Sequence, residues 1–133
     1  MLLLGGCETI YSPNSINVSD DLLQMRVLGR WARDGYVHSG SYPAFRDELE
    51  FDDGGTFRYT RIWPNLIETQ RSTQVGTWSV KDGDLIQQWR RPNGRIYRTS
   101  TSELLETRPR TIVFQNGSGP VESYYRRPRS TVP

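Results

Sequence analysis

The sequence predicts an all-β protein: an up-and-down antiparallel β-barrel of about eight to ten short strands with one short N-terminal helix. Two observations support this fold class. From residue 29 onward apolar and polar residues alternate with a period of two, as in half-buried strands. Asp-Gly or Asn-Gly pairs separate these runs, and such pairs favour hairpin turns because both turn positions need a positive φ. The short turns favour a closed barrel, which has no exposed edges, over a sandwich with crossovers.

The composition is that of a single folded domain. The chain has 133 residues, of which 35% are hydrophobic and 24% charged, and its net charge is +2. One hydrophobic core covers this length. A single Cys and a single His exclude an internal disulfide, a cysteine-based zinc cluster and any site that needs two histidines. No apolar run approaches the roughly 20 residues that a membrane-spanning helix needs.

The first seven residues resemble the end of a bacterial lipoprotein signal. Leu4-Gly5-Gly6-Cys7 is similar to a lipobox, in which small residues before the Cys let a peptidase reach the backbone. The resemblance implies lipid attachment at Cys7 and a place on the periplasmic face of the bacterial outer membrane. The apolar stretch is shorter than the roughly 7–15 residues of a complete signal. Either the start lies upstream or the match is accidental.

Residues 8–18 are polar and predict a flexible tether, and residues 17–29 predict one short helix. Ser19 is the expected N-cap, Asp20 and Asp21 suit the positive end of the helix, and Gly29 suits its end. The barrel domain is predicted to extend over residues 19–128. Residues 129–133 are predicted to be a disordered tail.

The first strand opens at residue 29, and the next two, at 47–52 and 56–61, form a hairpin around Asp53-Gly54. Further strands are predicted at 67–72, 75–80, 85–90, 96–101, 104–107, 111–115 and 121–127. Alternation places one set of apolar side chains inward. This set is Leu49, Phe51, Phe57, Tyr59, Trp78, Val80, Leu85, Trp89, Ile112, Phe114, Val121 and Tyr125.

Several short motifs, taken in chain order, resemble those of small bacterial lipocalin-like lipoproteins. Gly29-Arg30-Trp31 follows the helix and looks like the Gly-x-Trp with which lipocalins and related calycin barrels begin. A second such motif is Gly76-Thr77-Trp78, and the last strand ends Tyr124-Tyr125-Arg126-Arg127. The resemblance covers roughly residues 22 to 128. It implies that the helix closes one barrel end, where Trp31 packs across it and Arg126 or Arg127 stacks on the Trp ring.

A barrel of about eight strands encloses room for its own side chains or for one small ligand. Alternation also turns Arg61 inward beside Tyr59, and a buried guanidinium without a partner is costly. It must therefore lie at an open end, pair with a carboxylate or face a ligand. We expect a pocket for a small apolar or amphipathic anionic molecule, with Arg61 holding a head group such as that of a fatty acid. The predicted lining residues are Phe51, Phe57, Tyr59, Arg61, Trp78, Trp89 and Tyr125.

The alternative is a filled barrel that acts on a protein partner as an interaction or inhibitor module. The predicted contact is then the loop 38–45, which would expose Tyr42 and Phe45.

No motif indicates an enzyme, a cofactor or a metal. His38 precedes Ser39, but there is no nucleophile elbow and no third residue to orient the His. Asp82-Gly83-Asp84 could suggest calcium, but Asp is favoured at such turns in any case. Arg–aromatic clusters at 89–91 and 124–129 suit single-stranded nucleic acid only if Cys7 carries no lipid, and we expect no nucleic-acid partner.

Overall fold

The computed structural model describes residues 19–36, 43–64 and 68–128, so the predicted signal, tether and tail lie outside the described residues. Within these ranges the chain forms one helix and eight strands. They are α1 (Asp20–Val27), β1 (Gly29–Tyr36), β2 (Pro43–Phe51), β3 (Thr56–Trp63), β4 (Gln70–Lys81), β5 (Asp84–Arg90), β6 (Ile96–Thr107), β7 (Thr111–Asn116) and β8 (Val121–Arg126). No helix in this part of the chain has the length and apolar character needed to cross a membrane.

The strands form a closed antiparallel barrel in which each strand pairs with the next along the chain. The first and last strands complete it through the pairs Trp31↔Arg126 and Ala32↔Tyr125. The predicted fold class, an up-and-down β-barrel with one short helix, is therefore confirmed.

Two pairs of predicted strands are single long strands in the structure. The predictions at 67–72 and 75–80 fall largely within β4, and those at 96–101 and 104–107 both fall within β6. No Gly or Pro turn separates the members of either pair, so each strand continues through the predicted gap. β6 instead accommodates an irregularity in its register between Leu104 and Glu106.

The helix begins where the sequence predicts. Ser19 has extended backbone angles, and its hydroxyl accepts a hydrogen bond from the amide of Leu22 at 3.2 Å. The helix ends at Val27, and Gly29, with φ of 123°, opens β1. Leu23 and Val27 are buried, so α1 closes one end of the barrel. We call this end the helix end and the opposite end the mouth.

The helix-end half of the barrel is filled by its own apolar side chains. Trp31 is fully buried, and its indole N–H donates to the carbonyl of Val27 at 2.8 Å. The rings of Phe51 and Trp78 meet edge to face with centroids 5.1 Å apart. The buried core consists of Leu23, Val27, Trp31, Leu49, Phe51, Phe57, Trp78, Val80, Leu85, Trp89, Leu104, Ile112, Phe114 and Tyr124.

The predicted inward set is wrong in β8. Val121 and Tyr125 are exposed, at 54% and 42%, whereas Tyr124 is buried. Directly paired residues of antiparallel strands share a face, and Ile112, which is buried, pairs with Tyr124. The inward face of β8 is therefore the one that carries Glu122, Tyr124 and Arg126.

Candidate ligand cavity

The mouth half of the barrel contains a cavity of about 420 Å³. It lies where β3 and β7 end and where β4, β6 and β8 begin, away from α1. Its lining consists of Arg33, Leu49, Tyr59, Arg61, Trp63, Ser72, Gln74, Gln87, Trp89, Arg98, Ser100, Ser102, Phe114, Asn116, Glu122 and Tyr124. Aromatic side chains form part of the lining, and Trp63, at 39% exposure, lies near the end of β3.

A buried carboxylate organises one wall of the cavity. Asp47 has no exposed side-chain surface, and it shares the inward face of β2 with Leu49. It accepts two hydrogen bonds from Arg61, from Nε at 2.7 Å and from Nη2 at 2.9 Å. Arg33 Nε donates to it at 3.1 Å, and the Tyr59 hydroxyl donates at 2.8 Å. The two carboxylate oxygens of Asp47 thus accept four hydrogen bonds. A buried charge needs partners of this kind to offset the loss of water.

The pKa values of this wall reflect the same contacts. Burial alone would raise the pKa of Asp47, but the hydrogen bonds from Arg61 and Tyr59 outweigh it and hold the pKa below its ordinary value. For Tyr59, burial and the hydrogen bond to Asp47 act together and raise its pKa to about 12. The hydrogen bond to Asp47 raises the pKa of Arg61 as well. At neutral pH the wall therefore holds a carboxylate, guanidinium ions and a neutral phenol.

The two arginines of this wall are also held by aromatic rings and a second acid. Arg33 lies 5.0 Å from the ring centroid of Tyr124, and its Nη2 is 3.4 Å from a carboxylate oxygen of Glu122. The guanidinium of Arg61 lies 3.9 Å from the ring centroid of Phe45. Both cations are therefore fixed between a ring and a carboxylate.

The predicted loop 38–45 ends earlier than expected. Residues 37–42 lie outside the described residues, but β2 begins at Pro43, so Phe45 is a strand residue. Its ring is half-buried over Gly35, where a Cβ atom would overlap it. The prediction that Phe45 is an exposed loop aromatic is wrong, because its alternation with Asp47 and Leu49 turns it inward.

The opposite wall, formed by β4, β5 and β6, carries hydroxyl and amide groups and one charge. Ser72, Gln74, Gln87, Ser100 and Ser102 line it. The charge is Arg98, whose guanidinium lies 4.6 Å from the ring centroid of Trp89. The indole N–H of Trp89 donates to the hydroxyl of Ser100 at 3.3 Å. Among the described residues, no carboxylate pairs with Arg98.

The structure brings only part of the predicted pocket together. Tyr59, Arg61 and Trp89 line the cavity, as the alternation predicted. Phe51, Phe57 and Trp78 belong to the filled core and are not among the lining residues. Tyr125, predicted to face inward, points outward and is not among the lining residues. Five residues at the cavity were not predicted from the sequence: Arg33, Asp47, Arg98, Glu122 and Tyr124.

At the helix end, Arg126 covers the Trp31 ring at 4.2 Å from its centroid. Its guanidinium donates to the carbonyls of Leu28 at 2.8 Å, Arg26 at 3.1 Å and Pro109 at 2.6 Å. Desolvation by burial lowers its pKa. Arg127, predicted in the same closure, lies one residue beyond β8 and pairs with Glu48 instead.

In the described part of the chain, no group of three or more His, Cys, Asp or Glu side chains is arranged to hold a metal ion.

The fold and the cavity define a small antiparallel β-barrel that is filled and closed by a helix at one end and hollow at the other. Among solved structures, the chain is similar to a lipoprotein YedD from Klebsiella pneumoniae, with 15% identity and a TM-score of 0.49 over 93% of this chain and 83% of that one. No protein-family model matches the sequence. No curated protein matches it either. A likeness at this level says nothing about ligand, partner or location.

Proposed function

We propose that the protein is a lipoprotein of the bacterial envelope that binds a small amphipathic anion in the mouth cavity of its barrel, without transforming it chemically. The observation that carries the binding proposal is the cavity of about 420 Å³, in which guanidinium groups and aromatic rings lie side by side. Binding sites for small molecules span roughly 300–1,000 Å³ and combine apolar walls with a few polar groups that orient the ligand.

The lining offers a surface for each part of such a molecule. Trp89, Phe114 and Tyr124 present ring surface to an apolar or planar body. The arginines supply donors that match an oxyanion in a bidentate geometry. The cavity walls are polar as well as aromatic, so a compact anion fits them better than a long hydrocarbon chain.

Two fluorescent probes test this proposal: 8-anilinonaphthalene-1-sulfonate, which is an anion, and N-phenyl-1-naphthylamine, which has the same ring body without the sulfonate. We expect saturable binding of the anion at one site and binding of the neutral probe at least ten-fold weaker. Absence of saturable binding overturns the cavity as a binding site. Equal affinities overturn its preference for anions.

A matched pair of variants on one strand locates the probe. Ser72 lines the cavity, whereas Ser79, further along β4, is exposed on the outer surface. Ser72→Trp should fill part of the cavity and weaken binding of the sulfonate probe at least five-fold. Ser79→Trp should leave the affinity within two-fold of the original. The same loss in both variants would mean that the probe binds elsewhere.

The envelope anchor rests on Leu4-Gly5-Gly6-Cys7, which lies outside the described residues. Stable anchoring of a bacterial lipoprotein requires more than one acyl chain, since a single chain binds only marginally. In cells fed an alkyne-tagged palmitate, the product of the gene should acquire the label and sediment with membranes. The Cys7→Ser product should do neither. An unlabelled, soluble product with Cys7 intact would overturn this part of the proposal.

A further inference from the structure

We propose that Arg98 is the residue that binds the anion, and that the ligand is a compact anion bearing hydroxyl or amide groups rather than a fatty acid. This inference rests on the proposed function and names the ligand class of the same cavity. It replaces Arg61, the anchor that the sequence indicates, with a cation on the opposite wall.

The charges of the cavity are divided unequally between its two sides. On the side formed by β8, β1, β2 and β3, Arg33 and Arg61 share Asp47, and Arg33 also reaches Glu122. Two cations thus face two carboxylates, and the net charge of this side is zero. An incoming anion would have to compete with Asp47 for Arg61, and Glu122 would repel it.

Arg98 is the cation that this pairing leaves over. β6 lies four strands from β2 in either direction around the eight-stranded barrel, so Arg98 faces the paired wall from across the cavity. The Trp89 ring positions the guanidinium of Arg98, and this contact does not neutralise its charge as a carboxylate would.

The contact with Trp89 leaves donors of Arg98 available to an oxyanion. A guanidinium carries five N–H donors, and those that do not point at the ring remain available. Two parallel N–H···O bonds to a carboxylate or phosphate then form from these donors. Such an anion would sit between the guanidinium and the neutral groups of the β4–β6 wall.

The polar lining determines the rest of the ligand. Ser72, Gln74, Ser100, Ser102 and Asn116 present hydroxyl and amide groups to the cavity. A hydrocarbon chain would remove water from these groups without replacing their hydrogen bonds, which is costly. A ligand with hydroxyl or amide groups replaces those bonds, and its less polar face can rest on Trp89.

The test of Arg98 measures the affinity of 8-anilinonaphthalene-1-sulfonate in three variants. Arg98→Gln removes the charge and should weaken binding at least ten-fold, and Arg98→Lys, which keeps the charge without the fork, should recover part of the loss. Arg95→Gln is the control, because Arg95 is exposed in the β5–β6 hairpin and does not line the cavity. It should stay within two-fold of the original.

The outcomes separate this inference from the proposed function. If the original protein does not bind the probe, both are overturned. If it binds, but Arg98→Gln and Arg95→Gln bind equally well, the role of Arg98 is overturned and the cavity remains a binding site. Arg61→Gln, measured as a fourth variant, gives the last outcome: a loss of affinity confined to it would return the anion to the paired wall and would also overturn the inference.

The ligand class is tested by displacement of the same probe with two carboxylates of equal carbon number. D-gluconate carries hydroxyl groups and hexanoate carries none. We expect gluconate to displace the probe at a concentration about ten-fold lower than hexanoate. Displacement by hexanoate at the same or a lower concentration, or by neither compound, would overturn the preference for a hydroxylated anion.

Discussion

The substitution Asp47→Asn tests how far the fold depends on the buried ion-pair cluster. The change removes one negative charge and replaces one acceptor oxygen by an NH₂ group that faces guanidinium donors. Removing one partner of a buried ion pair costs about 3–5 kcal/mol of unfolding free energy. The side chains of Arg61 and Arg33 are 32% and 28% exposed, so water can reach them after the loss. We therefore expect a loss of about 2–3 kcal/mol.

Urea unfolding followed by tryptophan fluorescence measures this loss. The matched control is Glu50→Gln on the same strand, because Glu50 is exposed and faces outward. It should change the unfolding free energy by less than about 0.5 kcal/mol. Equal effects of the two variants, or a loss below about 1 kcal/mol for Asp47→Asn, would refute the argument that this carboxylate holds the mouth wall together.

The pH dependence of stability provides a second measure of the same cluster. The pKa of Asp47 is lower in the folded protein than in the unfolded chain, so its ionised form stabilises the fold. This stabilisation is complete above the ordinary pKa of about 3.9 and is lost as pH falls through the lower, folded value. The Asp47→Asn protein should lack this part of the acid sensitivity when the two unfolding curves are compared from pH 7 down to about pH 2.

Three further predictions concern other parts of the barrel. Arg126→Ala should lower the unfolding free energy by about 2–3 kcal/mol, because it removes three charged hydrogen bonds to backbone carbonyls and a contact with the Trp31 ring. Arg127→Ala, which breaks the partly exposed ion pair with Glu48, should lower it by less than about 1 kcal/mol. Gly76→Ala should destabilise by at least about 3 kcal/mol in the same urea assay, since its Cβ would overlap a backbone carbonyl of β5. The more open Gly54→Ala should be tolerated. Burial and the hydrogen bond to Asp47 raise the pKa of Tyr59 to about 12, so its protonated form stabilises the fold. This stabilisation is complete below the ordinary tyrosine pKa of about 10 and is lost as pH rises through 12. Tyr59→Phe should abolish this loss of stability at alkaline pH, measured by circular dichroism at intermediate urea.

The parts of the fold that could be predicted from the sequence are those with strict alternation. Leu49, Phe51, Phe57 and Trp78 alternate with polar residues, and all of them belong to the buried core. Asp-Gly and Asn-Gly pairs located the hairpins, and Gly83 and Gly94 have the positive φ that such turns require.

In β8 the same reasoning failed because either face of the strand could be the inward one: both carry similar residues. Tyr124 and Tyr125 are both aromatic, and Arg126 and Arg127 are both basic. A shift of one residue exchanges the inner and outer faces without changing the residue types that each presents. The pairing with β7 decides the register, and that information is not local to the strand.

The site was harder to predict than the fold because the inner face of the mouth half is polar. Asp47 could have been found, since its parity matches that of Leu49 and Phe51 in the predicted half-buried strand. No such signal marked Arg98, because residues 97–103 are almost entirely polar and no apolar face distinguishes inside from outside. The same is true of the first part of β4.

The loss of alternation within these continuous strands follows from the way the barrel divides its interior. In the helix-end half, Trp31, Phe51 and Trp78 are removed from water, and each buried side chain of this kind contributes roughly 1.5–3 kcal/mol or more. This half can therefore provide most of the stability, which leaves the inner face of the mouth free to be polar. A substitution such as Arg98→Gln should then alter ligand affinity while leaving the unfolding midpoint almost unchanged. Asp47 also lies in the mouth, but it is buried and bonded to two arginines, so its substitution should lower the unfolding free energy as well.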